Sequence, residues 1–512
     1  VSGVQHGIVS GTRCRSDAEI EARVQRIAGG LRAAGIGPGD CVAILMRNDV
    51  AFLEASFGIM RVGGYAVPIN WHFKPEEIAY VMADSNARAL IGHADLLRQM
   101  RASIPQGVLL LSVVPPPEVT SSFGLAPALC AQPEGIEDFE SWLARQPVYD
   151  GPSPPQPQSM IYTSGTTGFP KGVRRNAPTP DEQKTTEAMR ALVYGMKPKV
   201  RALLPGPLYH SAPNAFGIRA GRLGGVLVLQ PRFEPEECLQ LIEAEKIDTI
   251  FMVPTMFVRL LKLPEAVRRK YDMSSLKFII HAAAPCPPDV KAAMIAWWGP
   301  IIHEFYGGTE SGPVTFATPE DALRKPGTVG RASPGAEICI VDDNGNELPQ
   351  GSIGEIFARI QGYPDFTYHN KPDKRAEIDR NGLITCGDVG YLDAEGYLFI
   401  CDRKRDMVIS GGVNIYPAEI EAVLVGLDGV QDCAVFGIPD VEFGESLLAV
   451  VEPRPGVTLD PKALQTELAK HLAGYKVPRR IEIGANLPRE DSGKIFKRRL
   501  RDPYWAEVGR RI

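Results

Sequence analysis

The chain has 512 residues, 44% hydrophobic and 23% charged, with a formal net charge of −5. This is too long for one compact core and predicts roughly two to four domains or subdomains. The slightly acidic balance argues against a protein whose main work is electrostatic binding of nucleic acid, and no apolar run reaches the roughly 18 residues of a membrane span.

Nine cysteines are scattered without a C-x-x-C pair, which argues against a zinc knuckle, a dithiol redox site or a disulfide scaffold. Reduced thiols and the absence of a signal-peptide pattern lead to an expected cytoplasmic location, at most peripheral to a membrane.

In chain order, Ser16-Asp17-Ala18-Glu19 reads as a capped helix start, continued by Ile20, Val24, Ile27 and Leu31 on one face. Gly35 to Asp40 reads as a turn, Cys41 to Met46 as a short buried strand, and Phe52, Ala55, Ile59 and Val62 as the face of a second helix. This alternation predicts an α/β fold with buried sheets. Glycines 35, 37 and 39 follow a helix and precede a strand, the reverse of a dinucleotide fingerprint.

The proline-rich stretches 115–117 and 151–157 read as surface connections. Strand-like runs follow at 202–204, 226–229, 249–253 and 278–281, with helical segments between them. From about residue 326, short strands and glycine turns predict a smaller β-rich subdomain. Another shift near Asp402 to Arg405 opens a segment with helices from Pro417 and Pro461 and strands at 432–436 and 447–451. The expected division is a large N-terminal domain over 1–404, with two α/β subdomains and a β-rich one, and a small α+β domain over 405–512.

Five stretches carry chemistry. Y-T-S-G-T-T-G-F-P-K-G at 162–172 combines hydroxyls, glycines and Lys171. Glycine N–H groups can form an anion nest there, although a flexible loop is the plainer alternative. E-F-Y-G-G-T-E at 304–310 offers an aromatic face, a hydroxyl and a carboxylate. Beside phosphates, that carboxylate suits Mg²⁺. T-C-G-D-V-G at 385–390 carries an Asp able to accept ribose hydroxyls, or simply a β-turn aspartate. D-R-K-R-D from 402 sits where composition changes and suits a hinge, and P-R-E-D-S-G-K at 488–494 ends in Lys494 at a turn tip.

Together, in this order and spacing, these stretches resemble the adenylate-forming (ANL) superfamily, which includes acyl-CoA synthetases, firefly luciferase and the adenylation domains of peptide synthetases. The resemblance runs from roughly residue 16 to 502. It implies an AMP-forming acid–thiol ligase. A carboxylate attacks the α-phosphate of Mg·ATP to give an acyl adenylate and pyrophosphate, and a thiol then takes the acyl group. By the family pattern, Thr163, Ser164, Gly165, Thr166, Thr167, Gly168 and Lys171 hold the β- and γ-phosphates. Thr309 reaches the α-phosphate and Glu310 holds Mg²⁺. Ala283 and Ala284 wall the adenine pocket, Tyr306 covers the base, and Asp388 and Arg403 bind ribose. Lys494 bridges carboxylate and phosphate during the first step, and His210 lies near the carboxylate. Arg405 occupies the hinge position, where relatives carry Asp or Lys.

S-G-G-V-N-I-Y-P at 410–417 resembles the CoA ligases, so CoA is expected as thiol, with Gly412 lining its tunnel and Phe443, Tyr475 and Arg479 meeting its nucleotide. The rivals are loading of a carrier protein, luciferase-like oxidation, and a silent acyl or nucleotide sensor. V-R-R-N-A-P at 173–178 resembles the branch with bile-acid and long-chain acyl-CoA ligases and implies a medium- or long-chain or bulky acid. Arg174 and Arg175 are expected to add positive potential near pyrophosphate. Ala212, Ala215, Gly217, Gly308 and Gly312 are small enough to permit a roomy acyl tunnel. No transmembrane segment or nucleic-acid partner is expected, and a homodimer is compatible with the reading.

Overall fold

The computed structural model describes residues 6–101, 104–163, 170–404, 406–410, 413–441, 443–484, 486–489 and 495–506. The chain forms two compact units, one of residues 1–326, 330–337 and 359–384, the other of residues 327–329, 338–358 and 385–512.

The first unit is built on two parallel sheets. In one, Tyr65–Pro68, Cys41–Leu45, Ala87–His93, Leu109–Val113 and Glu137–Asp138 lie side by side in that order. In the other, Gly7–Ser10, Val226–Leu229, Arg201–Leu204, Thr249–Met252, Phe278–His281 and Ile302–Gly308 are parallel neighbours. Antiparallel Arg13–Ser16 and Gly312–Ala317 flank that run at its two ends. The four strands from Arg201–Leu204 to Ile302–Gly308 therefore end on one edge, and the loops that follow them share that edge.

Local chemistry accounts for the elements. Ser16 caps the helix Asp17–Ala33 in a full capping box with Glu19, whose first turn is acidic, and the predicted face is buried. Asp49 caps Val50–Arg61. Pro115 and Pro116 are buried, and Pro117 opens the helix Pro117–Phe123, so the stretch expected to be a surface connection is partly interior. Proline fits there because the first helical N–H has no partner to lose.

A third, small antiparallel sheet joins Ile161–Thr163, Lys171–Arg175 and Phe366–Tyr368. Ala336–Val341, Gly354–Ile360, Leu383–Leu392 and Tyr397–Arg403, most of whose residues belong to the second unit, pair in that order. The C-terminal part of that unit is a five-stranded sheet centred on the long hairpin of Val430–Asp440 and Gly444–Pro453. Helices Pro417–Gly426 and Pro461–His471 supply one apolar cluster on that sheet, and Lys497–Ala506 contributes to another. No described helix is long and apolar enough to cross a membrane.

Two buried polar groups of the first unit differ in what they hold. Asn48, 3% exposed, donates to the carbonyls of Gly206 (2.8 Å) and Gln230 (3.1 Å) and accepts from the Leu208 N–H at 2.8 Å. It thereby fixes the loop that leads to His210. His281 is fully buried beside the ion pair of Lys291 and Glu304. Burial, and after it the Lys291 charge, holds its imidazole well below the ordinary value of 6.5.

Two outcomes follow. Asn48→Ala leaves one buried donor and two carbonyls unpaired and should cost about 2–4 kcal/mol in a denaturation measurement. His281 is neutral in the fold, whereas the unfolded chain takes up a proton below about pH 6.5. Its contribution to stability is complete above that pH and declines as pH falls toward the depressed folded value. The drop in melting temperature between pH 7 and pH 5 should therefore be smaller in His281→Gln than in the parent chain, and equal drops would refute the assignment.

Candidate active site

The strand Ile302–Gly308 carries Tyr306, and the turn that follows it presents Thr309 and Glu310. Close approach shapes this turn. A Cβ on Gly307 would stand 1.8 Å from the Gly312 carbonyl oxygen, so no side chain fits between the two strands there. The Glu310 carboxylate faces the small antiparallel sheet. Its Oε1 accepts from the Thr163 hydroxyl at 3.2 Å and from the Tyr368 phenol at 3.0 Å. Lys171 begins the strand opposite Thr163, and its Nζ lies 4.8 Å from the centre of the Tyr368 ring. Burial lowers the pKa of this ammonium, helped by the like charge of Lys374.

Thr163, Lys171 and Glu310 are thus brought together as the motifs imply. Tyr368, which links Lys171 to Glu310, went unnoticed in the sequence. It sits in an ordinary strand pattern, F-T-Y, that gives no sign of its partner 58 positions earlier.

Arg174 and Arg175 are both held by specific neighbours. Arg174 lies 4.3 Å from the centre of the Tyr65 ring, donates to the Gly39 carbonyl and pairs with His369. Arg175 is 5% exposed and donates to the carbonyls of Thr309, Glu310 and Pro364. Both guanidiniums are engaged with backbone and rings, because alternation along a strand decides where a side chain points and the charge itself does not.

The remaining nucleotide candidates fall in two places. In the first unit, Ala283 and Ala284 are exposed in the loop after Phe278–His281, and Ala283 takes a left-handed φ of 75°, a strained state for a residue with a Cβ. His210 caps the helix Ser211–Ala220 on the loop after Arg201–Leu204, at the same sheet edge. In the second unit, Asp388 and Arg403 are register partners in a strand pair, with Arg403 Nε 3.4 Å from Asp388 Oδ1. Asp388 therefore belongs to a strand, which settles the turn alternative. Arg479 lies 4.2 Å from the centre of the Phe443 ring, and Tyr475 stands on a short turn, 56% exposed. Ser164, Gly165, Thr166, Thr167, Gly168, Arg405, Gly412 and Lys494 lie outside the described residues.

Two of the small residues expected to open a tunnel, Gly217 and Gly312, are closely packed. A Cβ on Gly217 would meet Leu204 and Leu208 at 2.9 Å, and one on Gly312 would meet Tyr363 at 3.0 Å. Next to Gly217, the buried Phe216 belongs to a closed cluster with Tyr194, Phe251 and Phe305, ring centres 5.7–6.5 Å apart.

No group of three or more His, Cys, Asp or Glu able to hold a metal occurs among the described residues. Glu310 Oε2 has no donor among them either. A single carboxylate oxygen left to coordinate suits Mg²⁺, which takes one or two carboxylates with phosphate oxygens and waters.

Comparison with known proteins shows the family. Residues 9–363 match the model of the AMP-binding enzymes, and residues 419–494 match the AMP-binding enzyme C-terminal domain. A feruloyl-CoA synthase of an Amycolatopsis species is 35% identical over 94% of this chain and 93% of its own. The long-chain-fatty-acid–CoA ligase FadD13 of Mycobacterium tuberculosis is 32% identical over 96% and 93%. The crystal structure of ATP-bound MatB from Rhodopseudomonas palustris superposes with a TM-score of 0.83 at 28% identity, covering 98% of this chain and 96% of that one. The chain belongs to the AMP-binding enzymes of the adenylate-forming superfamily and is an acid–CoA ligase of that family.

Proposed function

We propose that the chain activates a medium- or long-chain or bulky carboxylic acid as its acyl adenylate and hands the acyl group to the thiol of CoA. The observation that carries the first step is the Glu310 cluster, in which Thr163, Lys171 and Tyr368 surround one carboxylate. Attack of a carboxylate on a polyphosphate brings two anions together, so cations and oriented donors must offset the charge. Lys171 is suited to the leaving pyrophosphate, together with Ser164, Thr166, Thr167 and the glycines 165 and 168. Thr309 meets the α-phosphate, and Glu310 supplies a Mg²⁺ ligand. Mg²⁺ bound there would neutralise phosphate charge. Ala283, Ala284 and Tyr306 take the adenine, Asp388 and Arg403 the ribose, and His210 the carboxylate end of the acid.

The small domain beginning at 405 is read as a mobile lid hinged at Arg405. It brings Lys494 to the reacting carboxylate first and a CoA tunnel past Gly412 second. The stacked Arg479 and Phe443, with Tyr475, offer CoA a cation and aromatic faces.

A panel of carboxylic acids graded by chain length and ring size, assayed for pyrophosphate release and CoA thioester, tests this reading. Release with CoA-dependent thioester is expected for medium- or long-chain or bulky acids. Release without thioester would favour a carrier protein or oxidation, and no release with any acid would favour a sensor. Lys494→Ala should lower adenylation by roughly 100-fold or more, the scale of removing a charged transition-state contact. Thioester formation from a supplied acyl adenylate should be spared, and equal loss of both steps would remove Lys494 from its role.

A further inference from the structure

Arg175 is a buried cation with no carboxylate partner among the described residues. Burial lowers its pKa, against the attraction of Tyr363, Glu310 and Asp365. Its Nη2 donates to two consecutive carbonyls, Thr309 at 2.8 Å and Glu310 at 2.6 Å, and its Nη1 holds the Pro364 carbonyl. The guanidinium lies 5.1 Å from the Tyr363 ring centre and 5.4 Å from that of Phe366, its register partner. The Tyr65 phenol fixes the Arg175 carbonyl at 2.8 Å. The side chain is thus clamped by rings and by its own strand while it grips the turn that carries Thr309 and Glu310.

A trans peptide is planar, with C=O and N–H on opposite sides. A cation that pulls the carbonyls of 309 and 310 to one side turns the N–H groups of Glu310 and Ser311 to the other and polarises them. A buried charge without an anion is also costly, and the cost is relieved when an anion arrives.

We propose that Arg175 is a positioning residue for Mg²⁺ and nucleotide. It holds the Thr309–Glu310 main chain from behind so that the Glu310 carboxylate and the turn's N–H groups face the phosphates, and its charge, which forms no ion pair among the described residues, is further complemented when the polyanion binds. This rests on the reading that Glu310 serves Mg²⁺ and Thr309 the α-phosphate. Arg174, one position away on the other face of the strand, has no such role.

The test is a Mg²⁺ titration at fixed ATP, followed by the melting temperature of the full chain and, in parallel, by acid-dependent ATP–pyrophosphate exchange. Arg175→Met removes charge and fork, Arg175→Lys keeps charge without the fork, and Arg174→Met is the comparison. Arg175→Met should need about 10- to 100-fold more Mg²⁺ for half of the ATP-induced stabilisation, the scale of one lost charged hydrogen-bonding group. Arg175→Lys should fall between, and Arg174→Met should keep the parent midpoint. A purely structural role would lower the melting temperature without ligand and leave the Mg²⁺ midpoint in place, and that result overturns the proposal. If Arg175→Met does not fold, Arg175→Lys carries the same readout. Glu310→Gln separates the two readings. If it shifts the midpoint and the Arg175 variants do not, only the Arg175 proposal fails. If it leaves the midpoint unchanged, the metal reading fails and this proposal with it.

Discussion

Parallel pairing is the constraint on which the site depends. Arg201–Leu204, Thr249–Met252, Phe278–His281 and Ile302–Gly308 run the same way, so the loops beyond them open on one edge of one sheet. The loop to His210, the alanine loop at 282–284 and the Thr309–Glu310 turn come from segments about 100 residues apart, yet the sheet delivers them together. Hydrogen bonds of the ladder hold their strands rigidly, and the loops are free to carry chemistry rather than packing.

Rigidity at the edge is reinforced by buried polar groups rather than by added apolar bulk. Asn48 pins the approach to His210 from a different sheet, and Lys291 and Glu304 pair behind the strands that carry the alanine loop and Tyr306. Each such group is costly to bury unless all its partners are present, which makes the arrangement close to all-or-none. The left-handed Ala283 is consistent with this: a strained residue persists only where its surroundings over-determine it.

Much of this architecture is legible from sequence because it is local. The Ser16–Glu19 capping box, the buried faces of the first two helices and the strand runs from 202 to 281 need only nearest neighbours and periodicity. The nucleotide residues are legible through their family resemblance. What escaped reading is long-range. Charge in Arg174–Arg175 is visible, but its direction depends on which strand lies alongside, and here that strand, Phe366–Tyr368, is nearly 200 residues later. Tyr368 is hidden for the same reason. Asp388 looks like a turn residue between glycines until its pairing with Arg403 shows a strand. Gly217 and Gly312, taken as pocket space, are contact points, because a missing side chain says nothing about what already fills the gap.

The pairing of Gly7–Ser10 with Val226–Leu229 bears on how the protein is made. Gly7–Ser10 leaves the ribosome well before its parallel partner, which is complete only at residue 229. At roughly 5–20 residues per second, that is about 10–45 s of waiting. For that interval Ile8 and Val9, almost wholly enclosed in the finished sheet, have only the antiparallel neighbour Arg13–Ser16 to lie against. The strands Cys41–Leu45 to Glu137–Asp138 are meanwhile all available to one another. The order of synthesis thus favours a first sheet that forms on its own and a second that closes later around the early strand pair Gly7–Ser10 and Arg13–Ser16.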